Sequence, residues 1–372
     1  MTRARLSYGL LTSQNQGGGD KKQGLVSRVG KSGVNFRVIS RRSTPTEVKE
    51  EVEEDTGLFV AVADDGTGLQ RVMTSPDGIT WQERTAANTN QWVSVTYGTF
   101  NGAGRFVAVA NDGTNGPQVM TSPDGIEWTA RTAANTNYWT SVTYGNGRFV
   151  AVASFGIGDK LVMTSDDGGE SWQERTAANT NEWRTVTYGN GRFVAVASNS
   201  TDGPRVMTSP DGITWTAYAA VNTNSWSSVT YGTFNGAGRF VAVAFDGTGN
   251  QKVMTSDDGG ETWTAYAAAN TNGWQSVTYG TFNGAGLFVA VAGSSGSTGL
   301  QRVMTSPDGE TWTAYDAANT NNWQSVTYGG GRFVAVAYDG AGQRVMTSPD
   351  GETWTAYGAV NTNQWISVTY RP

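Results

Sequence analysis

The sequence predicts an all-β fold, a seven-bladed β-propeller of four-stranded antiparallel blades, closed by the C-terminal strand and preceded by an extended N-terminal arm. Three observations carry that expectation. The run Phe-Val-Ala-Val-Ala starts at Phe59, Phe106, Phe149, Phe193, Phe240, Phe288 and Phe333, at spacings of 43 to 48 residues, and a period near 45 residues marks radial repeat architectures. Each repeat holds four short runs separated by Gly, Asn and Asp, the residues that tight hairpins require. The repeats also open and close out of phase: they begin at Phe59 with the second run of a repeat and finish at Trp365 to Tyr370 with a first run. The last strand should therefore complete the blade begun at Phe59.

The elements follow in order along a repeat. The first run is Trp-x-Ser-Val-Thr-Tyr-Gly, as at Trp139 to Gly145, where hydroxyl-bearing and apolar residues alternate as on a half-buried strand. The second, as at Phe149 to Ala153, is apolar on both faces, which suits a strand sandwiched between neighbouring sheets. The third is Val-Met-Thr-Ser, as at Val119 to Ser122, and the fourth Thr-Trp-Thr-Ala, as at Thr214 to Ala217, mixes polar and large residues as an outer strand with one wet side does. A single sheet of this kind cannot bury its own faces. Seven arranged radially bury each face against the next blade and leave few open edges. The expected domains are residues 1–55, a basic Gly-rich docking arm with an acidic linker, and residues 56–372, the ring.

Between the third and fourth runs lies Ser-Pro-Asp-Gly-x-x-Trp, as at Ser75 to Trp81, or the longer Ser-Asp-Asp-Gly-Gly-x-x-Trp, as at Ser165 to Trp172. The Gly is free to take positive φ, and the short carboxylate and hydroxyl can hold the backbone N–H groups of the hairpin. This pattern resembles the Asp-box, or BNR, repeats of sialidases, several glycosidases and photosystem assembly factors. It recurs at Asp77, Asp124, Asp167, Asp211, Asp258, Asp308 and Asp350. The resemblance implies that these aspartates are folding elements rather than catalytic ones.

Composition narrows the chemistry. The 372-residue chain contains no Cys and no His, which removes disulfides, thiolate metal sites and the commonest general base and metal ligand. No cofactor and no metal site are expected. No stretch approaches the roughly 18 apolar residues of a membrane-spanning helix, and Leu6 to Leu11 is too short for a secretory signal. The sialidases carry an arginine triad, a Tyr–Glu pair and an acid–base Asp outside the repeat, and their Phe-Arg-Ile-Pro motif has only the echo Phe36-Arg37-Val38-Ile39 here. Acids in the ring, such as Glu310 and Glu352, recur at one repeat position, whereas an active site needs residues that break the repeat. The chain therefore reads as a non-enzyme, with two-carboxylate glycoside hydrolysis the remote alternative.

Charge divides the chain. Residues 1–42 hold nine Lys or Arg against Asp20 alone, residues 43–55 hold six acids against Lys49, and the rest carries −9 of a total −6. An acidic ring repels phosphate, so nucleic acid is not its expected partner. The arm offers Arg3, Arg5, Lys21 and Lys22, the aromatic Tyr8, a Gly17-Gly18-Gly19 stretch and one apolar run, Val34, Phe36, Val38 and Ile39, enough for one strand added to a partner. Thr46 to Asp55 reads as a linker of one or two helical turns. Tyr8 to Gly19 with Lys21 to Leu25 resembles N-terminal segments of virion proteins of large DNA viruses, which implies docking on a particle. A disordered tail is the alternative for the arm. The expected location is a virion or other extracellular particle after cytoplasmic synthesis.

Two further features bear on function. The linker Asn-Thr-Asn-x-Trp, as at Asn88, Asn90 and Trp92 or Asn135, Asn137 and Trp139, sets amides beside an aromatic. Such groups could hold sugar hydroxyls and stack on a sugar ring in a multivalent, lectin-like propeller, or they could cap their own loop while the Trp packs between blades. The segment after Phe-Val-Ala-Val-Ala differs in every repeat, for example Asp64 to Gln70, Ser154 to Lys160 and Gly293 to Gln301. Different loops on a uniform scaffold make an interaction surface. The function expected is a structural or interaction propeller anchored by its arm to a larger assembly, with glycans on the rim as the second reading.

Overall fold

The computed structural model describes residues 57–66, 68–199, 203–247, 249–293 and 299–372, and the backbone of three short strands before them. The chain divides into two compact units, Met1–Thr56 and Gly57–Pro372. In the first, Asn35–Ile39 is the centre of a three-stranded antiparallel sheet, paired on one side with Arg28–Val29 and on the other with Glu51–Glu54. Two expectations are corrected here. Acidic Glu51–Glu54 is a strand and not a helical turn, with Arg37 in register opposite Glu53. The Asn35–Ile39 strand, which carries Phe36 and Val38, has both edges hydrogen-bonded within the arm, so it is not an unpaired strand awaiting a partner. Arg3, Arg5, Tyr8, Lys21, Lys22 and Val34 lie outside the described residues.

The second unit is a ring of seven four-stranded antiparallel sheets. Blade one comprises Leu58–Ala63, Val72–Ser75 and Gln82–Arg84 and takes Trp365–Arg371 as its first strand. Blades two to seven run from Trp92 to Arg131, Tyr138 to Arg175, Trp183 to Tyr218, Trp226 to Tyr266, Trp274 to Tyr315 and Trp323 to Tyr357. The closing register pairs Trp365 with Ala63, Val368 with Ala61 and Arg371 with Leu58. The out-of-phase ends of the repeat thus meet in one sheet, as the order of runs predicts. The outer strands are three residues long and start later than expected, at Thr216 rather than Thr214, because Trp215 belongs to the preceding turn and donates its Nε1–H to the Gly212 carbonyl at 3.0 Å.

The core lies between blades. Trp92 is fully buried among Val60, Val62 and Val72 of blade one and Val95, Phe106 and Ala108 of its own blade, and its counterparts Trp139, Trp183, Trp226, Trp274, Trp323 and Trp365 are equally buried. A buried Trp is worth several kcal/mol of packing and transfer energy, about 3–5 kcal/mol on truncation to Ala. Around the axis, in six of the seven blades the Ser two residues after the first-strand Trp accepts a hydrogen bond from the next blade's Val N–H, while blade four has Thr185 in its place. Ser94 takes Val142, Ser141 takes Val186, and Ser367 takes Val95 across the closure at 3.2 Å. These bonds occupy N–H groups on the edges that the innermost strands would otherwise leave open.

Strand directions sort the connections onto two faces. Trp92 pairs with Ala110 and Val109 with Val119, so the blade-to-blade linkers and the loops between second and third strands share one face. The first hairpins and the Ser-x-Asp-Gly turns share the other. On that other face Asn146 and Gly147 adopt φ of 49° and 77°, the type I′ geometry that suits two-residue hairpins.

Candidate functional site

The turn face is chemically uniform. In each Ser-x-Asp-Gly turn the Ser hydroxyl donates to the Asp carboxylate, at 2.9 Å for Ser75 to Asp77 and 3.0 Å for Ser122 to Asp124 and Ser209 to Asp211, and at 2.8 Å for the pairs at Asp167, Asp258, Asp308 and Asp350. The same carboxylate accepts the backbone N–H groups of Ile126 and Glu127 in blade two, and of Glu261 and Thr262 in the longer turn of blade five. Partial burial opposes ionisation of these carboxyls. The hydrogen bonds outweigh it and hold all seven below the ordinary value, Asp258 at about 2. The glycine has a second reason to be there, since a Cβ on Gly212 would lie 2.7 Å from the Val150 methyl of the preceding blade. Each of these seven turn aspartates is thus spent on local donors.

On the opposite face the linker amides are also spent. Asn88 and Asn90 both donate from Nδ2 to the Pro117 carbonyl of the next blade, at 2.8 and 2.9 Å, and Asn135 and Asn137 both donate to the Lys160 carbonyl. The Asn88 and Asn135 side chains accept the N–H of Asn90 and Asn137, while Trp92 and Trp139 donate Nε1–H back to the Asn88 and Asn135 carbonyls. With Trp92 and Trp139 at 0% exposure, Asn90 at 0% and Asn137 at 1%, neither aromatic face is available for stacking. The expectation of sugar sites at these six residues is corrected: they clip each linker to the following blade.

What remains distinctive on this face is the residue that breaks the repeat. At the mouth of the central channel a cavity of about 320 Å³ is lined by Val93, Thr140, Arg184, Ser227, Gln324 and Ile366, the residue that follows the first-strand Trp, together with Asp64, Asn111, Asn322 and Tyr338. Burial, with the neighbouring Asp65 charge, raises the Asp64 carboxyl to about 6 against the partial opposition of its backbone hydrogen bond and Arg71. The Asp64 and Asn111 Oδ1 atoms are buried without a hydrogen-bond partner. Arg184 is reached by water but walled in by the channel, and this desolvation lowers its guanidinium pKa despite Glu182 nearby. Sequence reading passed over these positions because they hide as the x of a motif. Their signal is that one slot holds six residue types across seven blades, from Val and Ile to Gln and Arg, in an otherwise near-uniform frame.

Large exposed hydrophobics fall on the same face. Leu69, Tyr138, Phe155, Ile157, Phe245, Leu300 and Tyr338 lie there, against Ile126 and Phe282 on the turn face. Blade three concentrates them, with Phe155 69%, Ile157 67% and Tyr138 51% exposed and the Tyr138 and Phe155 rings edge-to-face at 6.1 Å. Beside them opens a cavity of about 290 Å³ between blades three and four, lined by Ser154, Phe155, Leu161, Asn181, Glu182 and Asn199 among others. Among the described residues no group of three or more His, Cys, Asp or Glu is placed to hold a metal, and no helix is long and apolar enough to cross a membrane.

No family model matches the chain, and no curated protein matches it. Among solved structures, the fold is similar to that of YCF48 bound to a D1 peptide, at 16% identity and a TM-score of 0.52 over 74% of this chain and 84% of that one. It is similar also to the computationally designed Ika8 protein, at 11% identity and a TM-score of 0.52 over 82% of this chain and 90% of that one. At these identities the likeness is one of fold.

Proposed function

We propose that the protein is a non-catalytic interaction propeller that binds a protein partner through its variable face. The observation that carries this reading is the segregation of exposed hydrophobics and repeat-breaking residues onto one side of a ring whose other side is uniform. Exposed apolar clusters on an otherwise polar surface are characteristic of docking surfaces. The similar fold of YCF48 bound to a D1 peptide supports the reading by analogy only. Among the described residues, Asp64 is the one carboxylate lining the channel cavity, whereas glycoside hydrolysis uses a pair of acids. The Ser-x-Asp-Gly turns are assigned to the Asp-box type as folding elements, and residues 1–55 are assigned to attachment on a larger assembly, with a virus particle the assembly that the arm's resemblance suggests.

Selection from a displayed-peptide library on immobilised protein tests the docking face. Enrichment should be lost with Phe155→Ser and Ile157→Ser and kept with Ile126→Ser on the turn face. Enrichment indifferent to Phe155 and Ile157 would remove the reading, and specific signals on a glycan array would favour sugar binding instead.

A further inference from the structure

The cavity beside Phe155 occupies a place that most other blades fill with a cation of their own. In blades one, four and seven the residue just before the third strand is Arg71, Arg205 or Arg344. Its Nη1 donates to the carbonyl just beyond the Phe-Val-Ala-Val-Ala strand, that of Asp64, Ser198 or Tyr338, at 2.7, 3.0 and 2.9 Å. The same nitrogen reaches the second linker asparagine, through the carbonyl of Asn90, Asn224 or Asn363, at 3.3, 2.8 and 2.7 Å. Arg302 in blade six and Lys252 in blade five reach the equivalent Asn321 and Asn272 carbonyls. In blade two the neutral Gln118 bridges Ala110 and Asn137 from one amide nitrogen. A carbonyl cage at this point is thus a recurring part of the fold, and it is filled by a donor in six blades.

Blade three has Leu161 there, which is buried and donates nothing. The counterparts of the caging carbonyls belong to Ser154 and Asn181, and both residues line the cavity of about 290 Å³. Asn181 is 1% exposed, and its Oδ1 is buried with no hydrogen-bond partner. Lys160, one residue before Leu161, does not substitute, because its Nζ donates at 2.8 Å to Thr176 Oγ1, just past the outer strand. Glu182 forms part of the wall, although its charge is shared with Arg184 and Arg205. Leu161 and Phe155 supply apolar and aromatic walls suited to an alkyl stem and a cation above a ring.

We infer that this cavity is a vacated arginine socket, which receives an arginine side chain of the protein partner. A guanidinium is weakly hydrated and presents five donors in a plane, so a cage of carbonyls can hold it without a dedicated carboxylate, as blades one, four and seven do for their own arginines. The inference rests on the reading of the variable face as a docking surface and names one anchor within it.

The test is a titration of the intact protein with acetyl-Gly-Arg-Gly-amide, followed by the Leu161 methyl NMR signals, against the isosteric neutral citrulline peptide. The arginine peptide should shift those signals and bind at least about tenfold more tightly than citrulline. Leu161→Arg should fill the socket from within, abolish peptide binding and raise the melting temperature; if that variant does not fold, Leu161→Gln copies the arrangement of blade two and should do the same. Equal binding of arginine and citrulline peptides, or unchanged binding to a folded Leu161→Arg or Leu161→Gln protein, overturns the socket. Library enrichment that depends on Phe155 but shows no preference for arginine would also overturn it while leaving the docking face intact. Arginine-peptide binding that Leu161→Arg abolishes, with library enrichment indifferent to Phe155 and Ile157, supports the socket and removes the docking reading.

Discussion

Asp64 and the turn aspartates carry the same functional group with its acidity shifted in opposite directions, and the difference is one of neighbours. A turn carboxylate such as Asp258 is stabilised as an anion by local donors and sits at about 2, so its contribution to stability is present above the unfolded value near 4 and is lost as pH falls towards 2. Asp64, raised to about 6 by burial, behaves in reverse: it penalises the fold above pH 6, and the penalty is relieved as pH falls from about 6 to 4. Thermal melts should therefore give Asp64→Asn a higher melting temperature than the parent at pH 8 and the same one at pH 4. Equal melting at both pH values would contradict the assignment. Asp124→Ala should cost about 1–3 kcal/mol, the usual effect of leaving backbone donors unmet, read from urea unfolding at pH 7. The sequence made the turn aspartates visible because Ser, Asp and Gly must stand at fixed offsets to close that hairpin. Asp64 was not visible, since its state is set by Asp65, Arg71 and channel walls that only the ring assembles.

Individual strands were legible where side-chain chemistry alone decides them. Phe-Val-Ala-Val-Ala can only be a strand buried on both faces, and the phase of the first and last runs fixes the partner of Trp365 to Arg371. The outer strand slipped by two residues because Trp215 serves the turn, and the acidic stretch at Glu51–Glu54 was misread because its pairing with Asn35–Ile39 overrides local preference. Removal of residues 364–372 should strip Trp365 from the last blade interface and bare the edge of Leu58–Ala63. The expected result is aggregation or a large drop in melting temperature, and unchanged melting would contradict the closure. The axial serines give a finer test: Ser141→Ala leaves the buried Val186 N–H without its acceptor and should cost about 1–3 kcal/mol in urea unfolding.

At the scale of the molecule, the fold was readable from period and phase, whereas the candidate site was half readable. Loops that differ between blades announce themselves in the sequence. The slot after the first-strand Trp and the Leu161 exception do not, because a channel and a carbonyl cage lacking its side-chain donor exist only once seven blades are set side by side. A protein beginning at Gly57 should fold as a ring and fail to join the assembly to which residues 1–55 are assigned, as measured by co-sedimentation with the native particle; normal incorporation would move the attachment to the ring. Arg371 pairs with Leu58 inside blade one. Because the first and last residues of the ring are neighbours across a single ladder, covalent order within it is nearly arbitrary. A circular permutant that joins Arg371 to Gly57 through a short Gly-Ser bridge and opens between Gly113 and Thr114 should rebuild the same seven sheets, with its seam moved from within a blade to an exposed loop.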